Sequence, residues 1–254
     1  MSKFIPPNLE PRQWQTLLAA YAQPPRAYHD FDHVRALWRQ FDAVAEHGPG
    51  WRQPAEVWWA IVFHDAVYVA GRSDNESASA QLAQQCLQQW PQGQTLDIAR
   101  VMQLIELTAR HGQLDGAVLD EDARLFLDCD MAILGAPPAQ FAAYQKGIAS
   151  EYLAVFSEQQ YQAGRTQFLR NLLSQPRIFL SDWFHQQLDA AARENLRAAL
   201  ENPDPRPQPP EPPGENECCG SGCPLCVLDV YSDELQAYRK ALAAWKLRNP
   251  EAEG

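Results

Sequence analysis

The sequence predicts an all-α fold, and three features predict it. Apolar residues recur every three or four positions in segment after segment, no stretch alternates apolar and polar residues between hairpin turns, and the breaks fall at Pro or Gly. At 254 residues and 46% apolar composition the chain can bury a sizeable core.

Pro6, Pro7 and Pro11 punctuate the start, and Trp14, Leu17, Leu18 and Tyr21 mark a first helix that ends at Pro24-Pro25. A second runs from Tyr28 through Phe31, Val34, Leu37, Trp38, Phe41 and Val44 to the Gly48-Pro49-Gly50 turn. The third is the apolar run 58–68, WWAIVFHDAVY, with His64 and Asp65 inside it. Asp74 is placed to cap a fourth helix through Leu82 and Cys86, and the next, Ile98 to Thr108, stops near His111-Gly112. Segments 125–134, 141–156, 161–173 and 183–200 complete a helical body, residues 1–201. Residues 202–216 hold seven of the twenty prolines and read as a linker. The tail, 217–254, offers one amphipathic segment, 235–247, too little for a core without a metal or the main domain.

A formal charge of -11 disfavours an extended nucleic-acid surface or an anionic-membrane footprint, so a small ligand is expected. Residues 1–9 contain no apolar signal core, and no run of about 18 apolar residues follows, which predicts a cytoplasmic protein with no membrane span. Four of six cysteines crowd into 218–226, and in a reducing compartment such a cluster is a metal or redox site more often than a disulfide framework.

Polar residues intrude on the apolar pattern at three places. His64-Asp65 is an expensive pair in a buried helix unless hydrogen-bonded together or bound to a cation. Upstream, YHDFDH sets His29 and His33 four apart, on one helix face about 6 Å from each other. Downstream, LDCDMAILG places Asp128 and Asp130 in another apolar helix. The mixed set His33, His64, Asp65 and Asp130 suits a six-coordinate Mn, Fe, Co, Ni or Mg ion better than a closed structural zinc. Such an ion brings a bound water's pKa toward roughly 7 and polarises a phosphoryl oxygen.

This order of residues, H…HD…D on helices, resembles the HD superfamily of metal-dependent phosphohydrolases, and implies an HD-domain helical bundle. FHDAVY, Asn75-Glu76, Thr108 with His111, Glu151-Tyr152 and Tyr161-xx-Gly164-Arg165 are similar to its predicted metal-dependent HD phosphohydrolase group. YHDFDH also resembles the YHNxxH signature of cyclic-nucleotide phosphodiesterases, which implies that His33 ligates the metal and His29 is the general acid. The resemblance implies Asp130 rather than Asp128 as the ligand, and a small phosphorylated metabolite or nucleotide as substrate. Glu76 is a candidate for orienting the water. His111, Lys146 and Arg165 are candidates for a second metal or for phosphate, each set against an ordinary surface role. His47 and His185 read as structural.

Cys218, Cys219, Cys223 and Cys226 with Gly220, Ser221 and Gly222 form a tight thiolate loop for zinc or an iron-sulfur cluster. The run ECCGSGCPLCVLDVYSDEL resembles the small Cys-rich oxidoreductase-like domain, and the tail is a candidate contact for a protein partner. Two other functions fit the same residues: a di-iron oxygenase on the HD scaffold, and a non-catalytic metal-stabilised binding module.

Overall fold

The computed structural model describes residues 4–201, 209–214 and 226–248, and among the described residues every regular element is helical. Two compact units divide at Leu200/Glu201, one residue before the ninth helix ends. The first contains α1 (Pro11–Tyr21), α2 (Phe31–His47), α3 (Pro54–Phe63), α4 (Asn75–Gln89), α5 (Ile98–Leu107), α6 (Glu121–Met131), α7 (Pro138–Tyr152), α8 (Glu158–Ser174) and α9 (Asp182–Glu201). Short 3-10 turns follow α5 at Thr108–Arg110 and α6 at Ala132–Gly135.

The core is built around α3. All residues from Val57 to Phe63 are buried, because a helix apolar on every face has no side to give to water. It packs against α2, α4, α5 and α6, and Trp58 stacks on Trp38 of α2 with centroids 5.5 Å apart. Gln53, at its N-cap, makes no side-chain capping bond. The buried Asp122 carboxylate of α6 instead accepts from Arg52 N at 3.0 Å and Gln53 N at 2.7 Å, locking the two helices together.

Local signals set other boundaries. Asp120 accepts from Ala123 N at 2.9 Å to start α6, and Ser157 with Gln160 forms a capping box on α8. Asp74, expected to cap α4, makes no capping bond. Its carboxylate is held by Arg72 at 2.6 and 2.8 Å, an ion pair that competes for the same oxygens. Gly147 lets α7 press against the loop before α2: a Cβ there would lie 2.9 Å from both Ala27 O and Tyr28 Cβ.

In the second unit α10 runs from Val227 to Arg248, with Cys226 just before it and Leu228 and Val230 exposed. Cys218, Cys219, Cys223 and most of the expected linker lie outside the described residues. No helix of the described residues is long and apolar enough to cross a membrane.

Candidate metal centre

The site begins where α2 begins. Asp30 is extended at the N-cap (φ -94°, ψ -172°), and its Oδ1 accepts from Asp32 N at 2.8 Å and His33 N at 3.3 Å. His33 therefore sits in the first turn, buried, whereas His29 precedes the cap in a loop. The expectation that the two histidines share a helix face is corrected: the loop, not helical spacing, sets their rings 5.7 Å apart, edge to face.

The His64-Asp65 pair is likewise not inside a helix. α3 ends at Phe63, His64 is its C-cap, and Asp65 lies in the turn beyond. That turn is pinned by side chains from the start of α4 and from the loop before α2. Ser79 bonds Val67 N and O at 3.0 and 3.1 Å, Asn75 bonds Val69 N and O at 3.0 Å each, and Arg26 donates to Asp65 O at 2.8 Å and Ala66 O at 3.0 Å. Leaving the helix frees both side chains to face one point. His64 Nδ1 donates to Ile61 O at 2.8 Å, which fixes the tautomer and turns Nε2 inward.

Asp130, near the end of α6, completes the convergence. His64 Nε2 lies 3.1 Å from His33 Nε2 and 3.0 Å from Asp65 Oδ2, and His33 Nε2 lies 3.0 Å from Asp130 Oδ1. His33 Nε2 also lies 3.5 Å from Asp65 Oδ2, and His64 Nε2 3.8 Å from Asp130 Oδ1. His33, His64 and Asp130 each offer one donor atom, all within 4.8 Å of one another, a group that could hold a metal ion, and Asp65 Oδ2 stands beside the two histidines. Imidazole and carboxylate lone pairs crowd the same small volume, an arrangement that a cation or a proton must relieve. Burial opposes a charged His64, but Asp65 and then Asp130 raise its pKa to about 9. Burial also penalises the carboxylates, yet His64 and His29 hold Asp65, and His111 and His33 hold Asp130, below the usual carboxylate range.

Beside this set, His29 Nδ1 is 2.6 Å from Glu151 Oε2, and Glu151 Oε1 accepts from the backbone N–H of Ala27, Tyr28 and His29 at 2.7, 2.7 and 2.9 Å. Burial lowers the His29 pKa, but Asp65 and Glu151 overcome it, so the imidazolium persists above the ordinary range. Tyr68 stacks on the ring at 4.2 Å and limits its rotation. His111 Nε2 lies 2.8 Å from Asp130 Oδ2.

His29, Glu76, His111, Asp130 and Arg165 all line one cavity of about 680 Å³, whose walls include Tyr28, Tyr144, Tyr152, Phe156, Tyr161 and Phe168. Lys146 does not join them: it is exposed on α7 and lines none of the cavities described here, because the opposite face of that helix carries the buried residues. Asp128 is directed away from the centre. It accepts from Leu180 N, Ser181 N and Ser181 Oγ at 2.8, 2.7 and 2.6 Å, and so holds the chain entering α9. Burial outweighs these bonds and pushes its pKa up to about 6.

Sequence reasoning gave no role to Glu151 or Arg26. Arg26 ties the carbonyl of His29 to those of Asp65 and Ala66. A signal for Glu151 existed: Tyr144, Gly147, Ile148 and Glu151 fall at the spacing of one buried helix face, so its carboxylate had to meet a partner inside.

Comparison with known proteins bears on the second unit. Residues 204–247 match the family described as oxidoreductase-like protein, N-terminal. A 33-residue stretch is 52% identical to a mitochondrial UPF0651 protein of Schizosaccharomyces pombe (strain 972 / ATCC 24843), covering 13% of this chain and 23% of that protein. The chain thus spans under a quarter of that relative, and the match starts inside the stretch read as linker. No solved structure matches.

Proposed function

We propose that the helical body is a metal-dependent phosphohydrolase that cleaves a small phosphate ester. The observation that carries the reading is the convergence of His33, His64, Asp65 and Asp130 beside a histidine clamped by a buried glutamate. These four residues would hold a divalent ion (Mn, Fe, Co, Ni or Mg). When bound, that ion lowers the pKa of a coordinated water toward roughly 7 and polarises a phosphoryl oxygen.

The chain's own groups do the rest. Glu151 occupies His29 Nδ1 and leaves Nε2 as the proton-bearing atom, so His29 is the donor to the departing ester oxygen. The Glu151 carboxylate against Nδ1 favours the protonated ring. Glu76, on the cavity wall, accepts from the attacking water. The aromatic side chains of the wall keep water from that side of the cavity and strengthen the charge interactions beside them.

A second reading is favoured by one contact. His111 against Asp130 Oδ2 provides donors for a second ion, as a di-iron oxygenase on this scaffold requires. Iron content and oxygen consumption separate the two. For the tail, the spacing of Cys218, Cys219, Cys223 and Cys226 supports a zinc or iron-sulfur site, and a protein partner is the role proposed for it.

Metal-stripped protein reloaded separately with Mn, Co, Fe, Ni and Mg, then screened for phosphate release from phosphorylated metabolites, tests the hydrolase reading. Full metal loading with no turnover on any compound leaves the non-catalytic binding module in its place.

A further inference from the structure

Arginines below the surface of the body are answered by carboxylate or carbonyl oxygens. Arg100 meets Asp120, Arg124 meets Glu121, Arg177 meets Asp182, Arg193 meets Asp189, and Arg26 meets three backbone carbonyls. Arg165 is the exception among the described residues. Its Nη1 donates to Tyr144 Oη at 3.1 Å, its Nε and Nη2 are buried without a partner, and its charge faces the rings of Tyr144 and Phe168 at 5.0 and 5.3 Å. Aromatic faces attract a guanidinium but give it no fork of acceptors. A half-buried cation with two idle donors, on the wall of a cavity shared with His29 and Asp130, is arranged for an oxyanion that arrives with a ligand.

That oxyanion is distinct from the reacting phosphoryl group. Tyr28 lies 4.8 Å from the His33 ring and 4.7 Å from the Tyr144 ring, so two aromatic rings, Tyr28 and Tyr144, stand in line between His33 and Arg165. A cavity of about 680 Å³ also has room well beyond one phosphoryl group.

We propose that the cavity takes a phosphate ester whose leaving group carries a second anionic group, and that Arg165 binds that anion within its aromatic collar. The inference rests on the phosphohydrolase reading for the ester, but the anion subsite is measurable without turnover. The carrier of the second charge is aromatic or aliphatic, and the substrates below distinguish the two.

The test uses the Mn-loaded full chain with two matched pairs: phenyl phosphate against 4-carboxyphenyl phosphate, and propyl phosphate against 3-carboxypropyl phosphate. In at least one pair the carboxylated ester should have kcat/KM about 10-fold or more above its neutral partner. Arg165→Met should bring that ratio near one, while Arg165→Lys, which keeps charge and stem, retains part of it and guards against loss through misfolding. Calorimetry on the same proteins should detect 4-hydroxybenzoate or 4-hydroxybutyrate, but not phenol or propanol, and only with a cation at 165. Equal rates within both pairs, or equal loss on charged and neutral esters in Arg165→Met, would overturn the proposal. Hydrolysis of none of the esters would count against the hydrolase reading alone if carboxylate binding still required Arg165. Absence of that binding overturns the anion subsite.

Discussion

Replacing Glu151 tests how the acid and metal elements are joined. Its buried carboxylate accepts three backbone N–H bonds from residues 27–29 and one bond from His29, so Glu151→Ala orphans several donors at once. At about 1–3 kcal/mol for each buried donor left unmade, and with partial relaxation of the loop, the expected loss is about 3–5 kcal/mol. Glu151→Gln keeps an acceptor but loses the charge, and should cost about 1.5–3 kcal/mol. The pH dependence has a definite sign. Burial raises the Glu151 pKa, but the His29 bond and the loop amides outweigh it and bring it from 4.5 to about 2. A depressed carboxylate stabilises the fold above its unfolded pKa, so the contribution, about 3 kcal/mol, is complete above pH 4.5 and lost as pH falls toward 2. Urea unfolding of the full chain, followed by tryptophan fluorescence from pH 2 to 7, measures both effects. A loss under about 1 kcal/mol in Glu151→Ala, or an unchanged acid limb in Glu151→Gln, would refute the clamp.

Three further outcomes are expected. His29→Ala should slow an alkyl phosphate ester by about 10²-fold or more and a p-nitrophenyl ester much less, since only the poor leaving group needs the proton; equal losses in steady-state rates would make His29 a ligand or binding residue. Asp128→Ala should destabilise the fold by about 2–4 kcal/mol through its lost bonds to residues 180–181 while leaving metal content intact, and loss of metal would place Asp128 in the centre instead. Cys223→Ser with Cys226→Ser should remove one zinc or iron equivalent from the full chain and leave ester turnover similar; loss of turnover with the body still folded and loaded would join the tail to the active site.

Periodicity reveals the helices because burial on α2, α5 and α9 follows one stripe, and Pro or Gly stands at most breaks. Boundaries at the site are less legible. The apolar run 58–68 carries no local stop before His64. What pins the chain there comes from Asn75 and Ser79 at the start of the next helix and from Arg26, a partner 39 residues away that no short window contains. At α2 a local signal was present, since Asp30 precedes Phe31 as a capping residue should, and it separates His29 from the helix. The costs of polar groups in apolar segments point to the His64-Asp65 pair and to Asp128 with Asp130, whereas the choice of Asp130, and of His33 over His29, rests on the resemblance to the HD superfamily. They did not reveal Glu151, whose contacts lie more than 120 residues away. Asp128 and Asp130 are equally anomalous in sequence, and only the packing of α9 separates a carboxylate that caps a chain entry from one that faces the histidines.

The most direct measurement is the metal content of the full chain with Cys218, Cys219, Cys223 and Cys226 all changed to Ser, so that any retained ion belongs to the body. After loading with Mn²⁺ and exhaustive dialysis, elemental analysis should find at least one equivalent per chain. His64→Ala and Asp65→Ala in the same background should each retain none and melt at lower temperature, each leaving its buried partner without a cation. Unchanged stoichiometry in both variants would contradict a metal centre built on His33, His64, Asp65 and Asp130.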